Sequence, residues 1–187
     1  VWPIHGSTGD AFVRLPVAFR VDAHGAPSSP IYRANLAILE AAITAGAPAG
    51  RVVEPIDETV AGLDLDRDGA LGTATRIVGL PAHYVGGAAA IRVTRSLYPQ
   101  GVELMHTVRY LDPDAPAYIA RRMKEVRYAT KTALLEDTEL AKAHRAVEAP
   151  TGGAEGDPQH GYRTPLGWTL QGWIEDSGGW LRLQTHE

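Results

Sequence analysis

Apolar residues recur at helical spacing from Ile31 to Ala45, at Ile31, Leu36, Leu39 and Ile43 with alanines between them, and predict a core helix. Ser29 is placed to cap it, Pro30 suits its first turn, and Gly46 with Pro48 stops it. A second, short helix is expected from Pro55 to Gly62, and an irregular apolar connector from Arg76 to Ala90. Strict alternation then marks a hairpin. Ile91, Val93 and Leu97 form one face of its first strand, Pro99-Gln100-Gly101 the turn, and Val102, Leu104, His106, Val108 and Tyr110 one face of the return.

Past this hairpin, Asp112 or Asp114 is placed to cap the longest helix, Ala115 to Leu135 with an extension towards Val147. Its buried stripe would be Ile119, Met123, Val126, Ala133 and Leu134. A terminal hairpin, Trp168–Glu175 with Trp180–Gln184, closes the pattern, and prolines at 3, 16, 27 and 30 make residues 1–30 an extended arm. Residues 151–166 read as a flexible loop. The sum is an α+β fold, β-hairpins packed with two or three helices, loop-rich, in a single domain over residues 1–187.

Composition narrows the function classes. With 18 basic and 22 acidic side chains the net charge is −4, which leaves no basic footprint for nucleic acid. No window approaches the roughly 18 apolar residues that a membrane-spanning helix needs. The absence of cysteine excludes disulfides, thiol catalysis and covalent haem attachment within these residues. A first residue that is Val1, and a last strand that runs to Glu187 without a polar tail, read as a piece of a longer chain.

The strongest chemical signal is Asp64-Leu-Asp-Arg-Asp-Gly69. Carboxylates at positions 1, 3 and 5 of a tight loop, a glycine at 6 and a carbonyl at 7 suit a hard cation with many oxygen ligands. The ligands would be Asp64, Asp66, Asp68 and the Ala70 carbonyl, and the ion calcium, with magnesium ranking second. The pattern resembles the calcium loops of EF-hands and dockerin-type modules. It departs from them at position 12, where Thr75 replaces the bidentate Glu, so Glu54, Asp57 or Glu58 would have to complete the shell. A solvated acidic turn without an ion is the plainer alternative.

The seven histidines form no HxH, HxxxH or HExxH spacing, so zinc has no local support. His106, on an apolar strand face, reads first as a core histidine, and His83 lies in a glycine-flanked loop. Three stretches, Val102–Asp112, Arg121–Tyr128 and Gly167–Glu187, resemble a segment of large exported bacterial c-type cytochrome-like proteins, in which a haem-attachment motif follows. That resemblance implies a place beside a haem-bearing segment or subunit, periplasmic or extracellular. It also implies haem contacts or axial ligands among Met105, His106, Met123 and His186.

The expected function is therefore a calcium-binding structural segment of an exported electron-transfer protein, not itself an enzyme. Two alternatives stand beside it. One is an enzyme, such as an oxidoreductase, with a pocket around His83, Tyr84, His106 and Arg109. The other is an extracellular binding module using Trp173 and Trp180.

Overall fold

The computed structural model describes residues 7–44, 50–148 and 155–184. It divides into two compact units, Leu15–Pro99 on one hand and Val1–Arg14 with Gln100–Glu187 on the other.

The 15–99 unit is built round α1 (Ser29–Ile43). Ser28 caps this helix by accepting from the Ile31 N–H at 3.3 Å, and Pro30 sits in its first turn, where a missing donor is harmless. The expected stop at Gly46 and Pro48 lies outside the described residues. Ile31, Ala34, Ile38, Leu39 and Ala42 bury the helix against Leu15, Phe19, Tyr84, Val85 and the small hairpin β2 (Arg51–Asp57) and β3 (Thr73–Ile77). Phe19 and Tyr84 meet edge to face at 4.8 Å. Burial pushes the Tyr84 hydroxyl up to about 12.

One polar residue sits at the centre of this core. Asn35 is fully buried; its amide donates to Phe19 O at 3.0 Å and Val85 O at 3.1 Å, and its oxygen accepts from Val85 N at 2.9 Å. All of its hydrogen bonds go to backbone of segments outside the helix, so it ties three stretches of chain together.

The segment expected as a helix over 55–62 is instead the end of β2 followed by a single helical turn, α2 (Glu58–Ala61). Asp57 caps α2 through Thr59 N, and Gly62 ends it in the left-handed region, φ +67°, where a glycine carries no Cβ penalty.

The other unit is a sheet ordered β1-β4-β5-β8-β7-β6, with β9 also paired to β8, every pairing antiparallel. Its strands are β1 (Ser7–Arg14), β4 (Glu103–Leu111), β5 (Ile119–Lys131), β6 (Glu155–Asp157), β7 (Gly161–Arg163), β8 (Trp168–Glu175) and β9 (Leu181–Leu183). Arg14 at the end of β1 stands opposite Glu103 at the start of β4 and pairs with it, so residues 15–99 are inserted between two neighbouring strands.

The α+β expectation is thereby corrected to a β-rich fold in which, among the described residues, nine strands outweigh three short helices. The largest error is the helix Ala115–Leu135. Its residues form β5, hydrogen-bonded on both edges, to β4 and β8, and the helix of this region is α3 (Asp137–Glu148). Ile119, Met123 and Val126 fit a helical stripe, but the same stretch also alternates, and pairing along both edges decides.

The strand expected at Ile91–Leu97 is irregular apart from one bridge, His83 to Arg92; β4 takes β1 and β5 as partners instead. The terminal hairpin forms as β8 and β9. In the loop expected over 151–166, residues 155–163 form the short β6–β7 hairpin, and 151–154 lie outside the described residues. At the end of β5, Lys131 is buried, donating to Leu166 O at 2.7 Å and lying 5.3 Å from the Trp168 ring centre. Desolvation holds its ammonium below the ordinary lysine range.

Candidate functional site

The first constellation is the acidic loop of the 15–99 unit. Glu58, the first residue of α2, is 1 % exposed, and its carboxylate accepts from Leu65 N (2.6 Å), Asp66 N (3.2 Å) and Gly72 N (3.1 Å). The loop is thus wound round a buried carboxylate. Asp64 accepts from Gly69 N at 3.0 Å through Oδ2, Asp66 from Asp68 N at 3.2 Å, and Asp68 from Ala70 N at 2.8 Å.

Glu58, Asp64 and Asp66 bring one carboxylate oxygen each to within 4.8 Å of one another. Of the three carboxylates suggested to complete the shell, Glu58 is the one brought in, while Asp57 is spent as the cap of α2 and Glu54 is exposed. Asp68 and the Ala70 carbonyl are not part of this trio. Desolvation first, and the charges of Asp68, Glu58 and Asp64 after it, hold the Asp66 carboxyl above its usual range. Asp64 Oδ1 is shut off from solvent without a hydrogen-bond partner among the described residues.

The second constellation lies on one face of the large sheet. Residues paired across strands share a face, and alternate residues change face. Leu104, Ala129, Leu170 and Tyr162 therefore form one row across β4, β5, β8 and β7. His106, Arg127 and Gly172 form the next row, and Val108 with Glu125 a third.

These rows line a cleft of about 490 Å³, walled further by Gln171 and Gln184. One end is apolar, at Leu104, Ala129, Leu170 and Tyr162. At the other, the buried Glu125 carboxylate pairs with the half-exposed Arg127 guanidinium beside His106. His106 Nδ1 is buried with no hydrogen-bond partner among the described residues. Gly172 leaves its place on this face to the Gln184 side chain, whose Oε1 would lie 2.7 Å from an added Cβ.

Met105 and His106 are successive residues of β4, so they face opposite sides of the sheet, and Met123 lies on β5, its N–H bound to a Glu175 carboxylate oxygen at 2.6 Å. His186 lies outside the described residues. His83 belongs to the 15–99 unit, whereas the cleft round His106 is lined wholly by the other unit. Of the pocket expected around His83, Tyr84, His106 and Arg109, only His106 lines this cleft; its other walls were not foreseen. A further trace was the alternation that put Leu104, His106 and Val108 on one face.

A protein-family model whose description reads "-like lipoprotein" matches residues 1–187. The chain belongs to this lipoprotein family. An "Uncharacterized lipoprotein" of Aquifex aeolicus (strain VF5) is 31 % identical over 187 residues, all of this chain and 29 % of that protein. The chain thus spans less than a third of the length of the curated relative it matches. No solved structure matches.

Family membership overturns the resemblance to c-type cytochrome-like proteins and to EF-hand or dockerin modules, and with it the function of a calcium-binding segment of an electron-transfer protein. The haem-bearing partner and the haem contacts at Met105, His106 and Met123 lose their support. The stretches that carried the resemblance are largely β4, β5, β8 and β9, where alternation of apolar and charged residues is what a two-faced sheet requires. The family carries no enzymatic evidence. Among the described residues no helix is long and apolar enough to cross a membrane.

Proposed function

We propose that this chain is a ligand-binding, non-catalytic module of an exported, membrane-anchored lipoprotein at the periplasmic or outer surface, and that its large sheet holds a small amphiphile. The observation that carries this reading is the cleft. Its volume falls within the roughly 300–1,000 Å³ of small-molecule sites, and its walls divide into an apolar end and a polar end. The apolar body of the ligand lies along Leu104, Ala129 and Leu170. Its acidic or hydrogen-bonding head meets Arg127 and the unpartnered His106 nitrogen, a buried polar atom that gains from a partner.

The probe is 8-anilinonaphthalene-1-sulfonate, an apolar ring system with an acidic head. The chain is expected to bind it with enhanced fluorescence, and Ala129→Trp, which fills the apolar end, to weaken binding by about tenfold or more with far-UV circular dichroism unchanged. Leu181→Ser, on the opposite face, should leave the affinity as it is. Equal affinity in parent and Ala129→Trp, or loss in Leu181→Ser, overturns the reading.

A second reading concerns the 15–99 unit. We propose that Glu58, Asp64 and Asp66 share a divalent cation, calcium before magnesium because the ligands are flexible carboxylates. The buried, unpartnered Asp64 Oδ1 beside two further carboxylates favours it. Asp66→Asn separates this from a bare acidic turn. The folded protein holds the Asp66 proton more tightly than the unfolded chain does, so stability falls as pH rises from the ordinary carboxylate range through the raised value. In chelator at neutral pH the variant should therefore melt higher than the parent. In millimolar calcium the parent should gain melting temperature and the variant should not. A parent that melts alike with calcium and with chelator overturns the cation.

A further inference from the structure

The cleft does not end at Glu125. A second hollow of about 510 Å³ continues it along the same face of the large sheet, and Glu125 and Gln184 line both. The strand registers carry the continuation. Ile174 lies two residues beyond Gly172 on β8, and Arg182 stands opposite it on β9, so both share the face of His106 and Arg127. Tyr110 follows Val108 on that face of β4 in the same way and lines the hollow too.

β5 is irregular at this point. Val108 pairs with Glu125 and Arg109 with Met123, which leaves Lys124 as an extra residue without a partner on β4. A bulge of this kind re-aims a side chain. In a regular strand Lys124 would face away from Glu125, whereas here the two neighbours line the same hollow. The carboxylates round it are engaged by the protein's own donors. Glu125 pairs with Arg127, Glu175 accepts from Met123 N at 2.6 Å, and Asp176 Oδ1 accepts from Gly178 N at 2.8 Å and Trp180 N at 3.0 Å. Arg122 donates to Glu175 O at 3.3 Å. Lys124 and Arg182 alone of its cations make no hydrogen bond or ion pair among the described residues.

We propose that this hollow binds the phosphate of an amphiphile whose apolar body lies in the cleft: a phosphate monoester on a hydroxylated linker that carries a single acyl chain. Two cations without partners suit the charge of about −1.5 to −2 that a phosphate monoester bears at pH 7. The linker follows from distance. Tyr110 stands four residues along β4 from His106, about 13 Å of strand, so a bare acid group cannot reach from the His106 nitrogen to the far end of the hollow. Linker oxygens meet His106 Nδ1 and Arg127, and the phosphate meets Lys124 and Arg182. The proposal rests on the cleft being an amphiphile site and adds the class of its head group.

The test is calorimetric titration with two probes that differ only in the phosphate, decanoylglycerol phosphate and decanoylglycerol, both below their micellar concentrations. The parent should bind the phosphate probe about tenfold more tightly at low salt, and the ratio should shrink as salt is added. Lys124→Gln/Arg182→Gln should bring the two affinities together by weakening the phosphate probe alone, and Lys124→Arg, which keeps the charge, should keep the preference. Ala129→Trp should weaken both probes alike and leave their ratio, so the cleft and the phosphate site fail separately. Three results would overturn the inference: a parent that binds neither probe, a parent that binds the two equally, or a preference that survives in the double glutamine variant.

Discussion

Asn35→Ala is expected to unfold most of the 15–99 unit. The substitution removes hydrogen bonds to Phe19 O, Val85 O and Val85 N, at 3.0, 3.1 and 2.9 Å in the parent; Phe19 O and Val85 N lose their side-chain partner, while Val85 O keeps Ala88 N at 3.3 Å. Each orphaned buried group costs about 1–3 kcal/mol, and the two together about 2–6 kcal/mol, comparable at the upper end with the whole stability of a small domain. Amide exchange along α1 reads this directly, because exchange through global opening should accelerate by about two to four orders of magnitude. Asn35→Asp does not rescue, since a carboxylate accepts from Val85 N but cannot donate to the two carbonyls. A loss below about 1 kcal/mol would show that the three segments are held by apolar packing alone.

Glu58→Gln is the second large effect. Its carboxylate takes three backbone N–H groups, two on Oε1 and one on Oε2, and an amide can present only one oxygen. Either Gly72 N or the Leu65 and Asp66 pair must then face an NH₂ group. Charge-assisted bonds are lost as well, so the variant should lose about 2–4 kcal/mol of stability in chelator, measured by the urea midpoint at unchanged slope. This loss requires no ion, because the backbone of residues 65–72 is what the side chain organises. A variant as stable as the parent would mean that the turn closes without Glu58, and would remove the frame on which the cation reading stands.

How much of this was legible in the sequence depends on how local each signal is. The first helix was legible because its signals are local, a proline at its start and apolar residues three and four apart, although the cap is Ser28 and not the expected Ser29. The terminal hairpin was legible for the same reason, two alternating runs flanking Asp176-Ser-Gly-Gly179. The β5 strand was not. Ile119, Met123 and Val126, four and three apart, fit the helical period and not a strict period of two; the strand is set by partners that lie before it and some forty residues after it in the chain, with a register shift between Glu125 and Met123.

The acidic loop divided in the same way. Three aspartates at spacing two were visible, but which of Glu54, Asp57 and Glu58 would turn inwards depended on where β2 ends and α2 begins. Of the cleft, the sequence reading named His106 alone. Leu104, Ala129, Leu170 and Tyr162 become one row only through registers that no short window contains.

The pairing of Arg14 with Glu103 has a bearing on how such a chain is assembled and diversified. A segment that leaves one strand and returns to its immediate neighbour has its two ends fixed close together, whatever lies between them. The sheet therefore sees residues 15–99 as an elaborate version of a connecting bend. For folding, closure of the 15–99 core before β1 joins β4 would spare the sheet the entropy of spanning a long open loop. By the same layout, a shorter bend in place of residues 15–99 would still let Arg14 and Glu103 stand opposite one another.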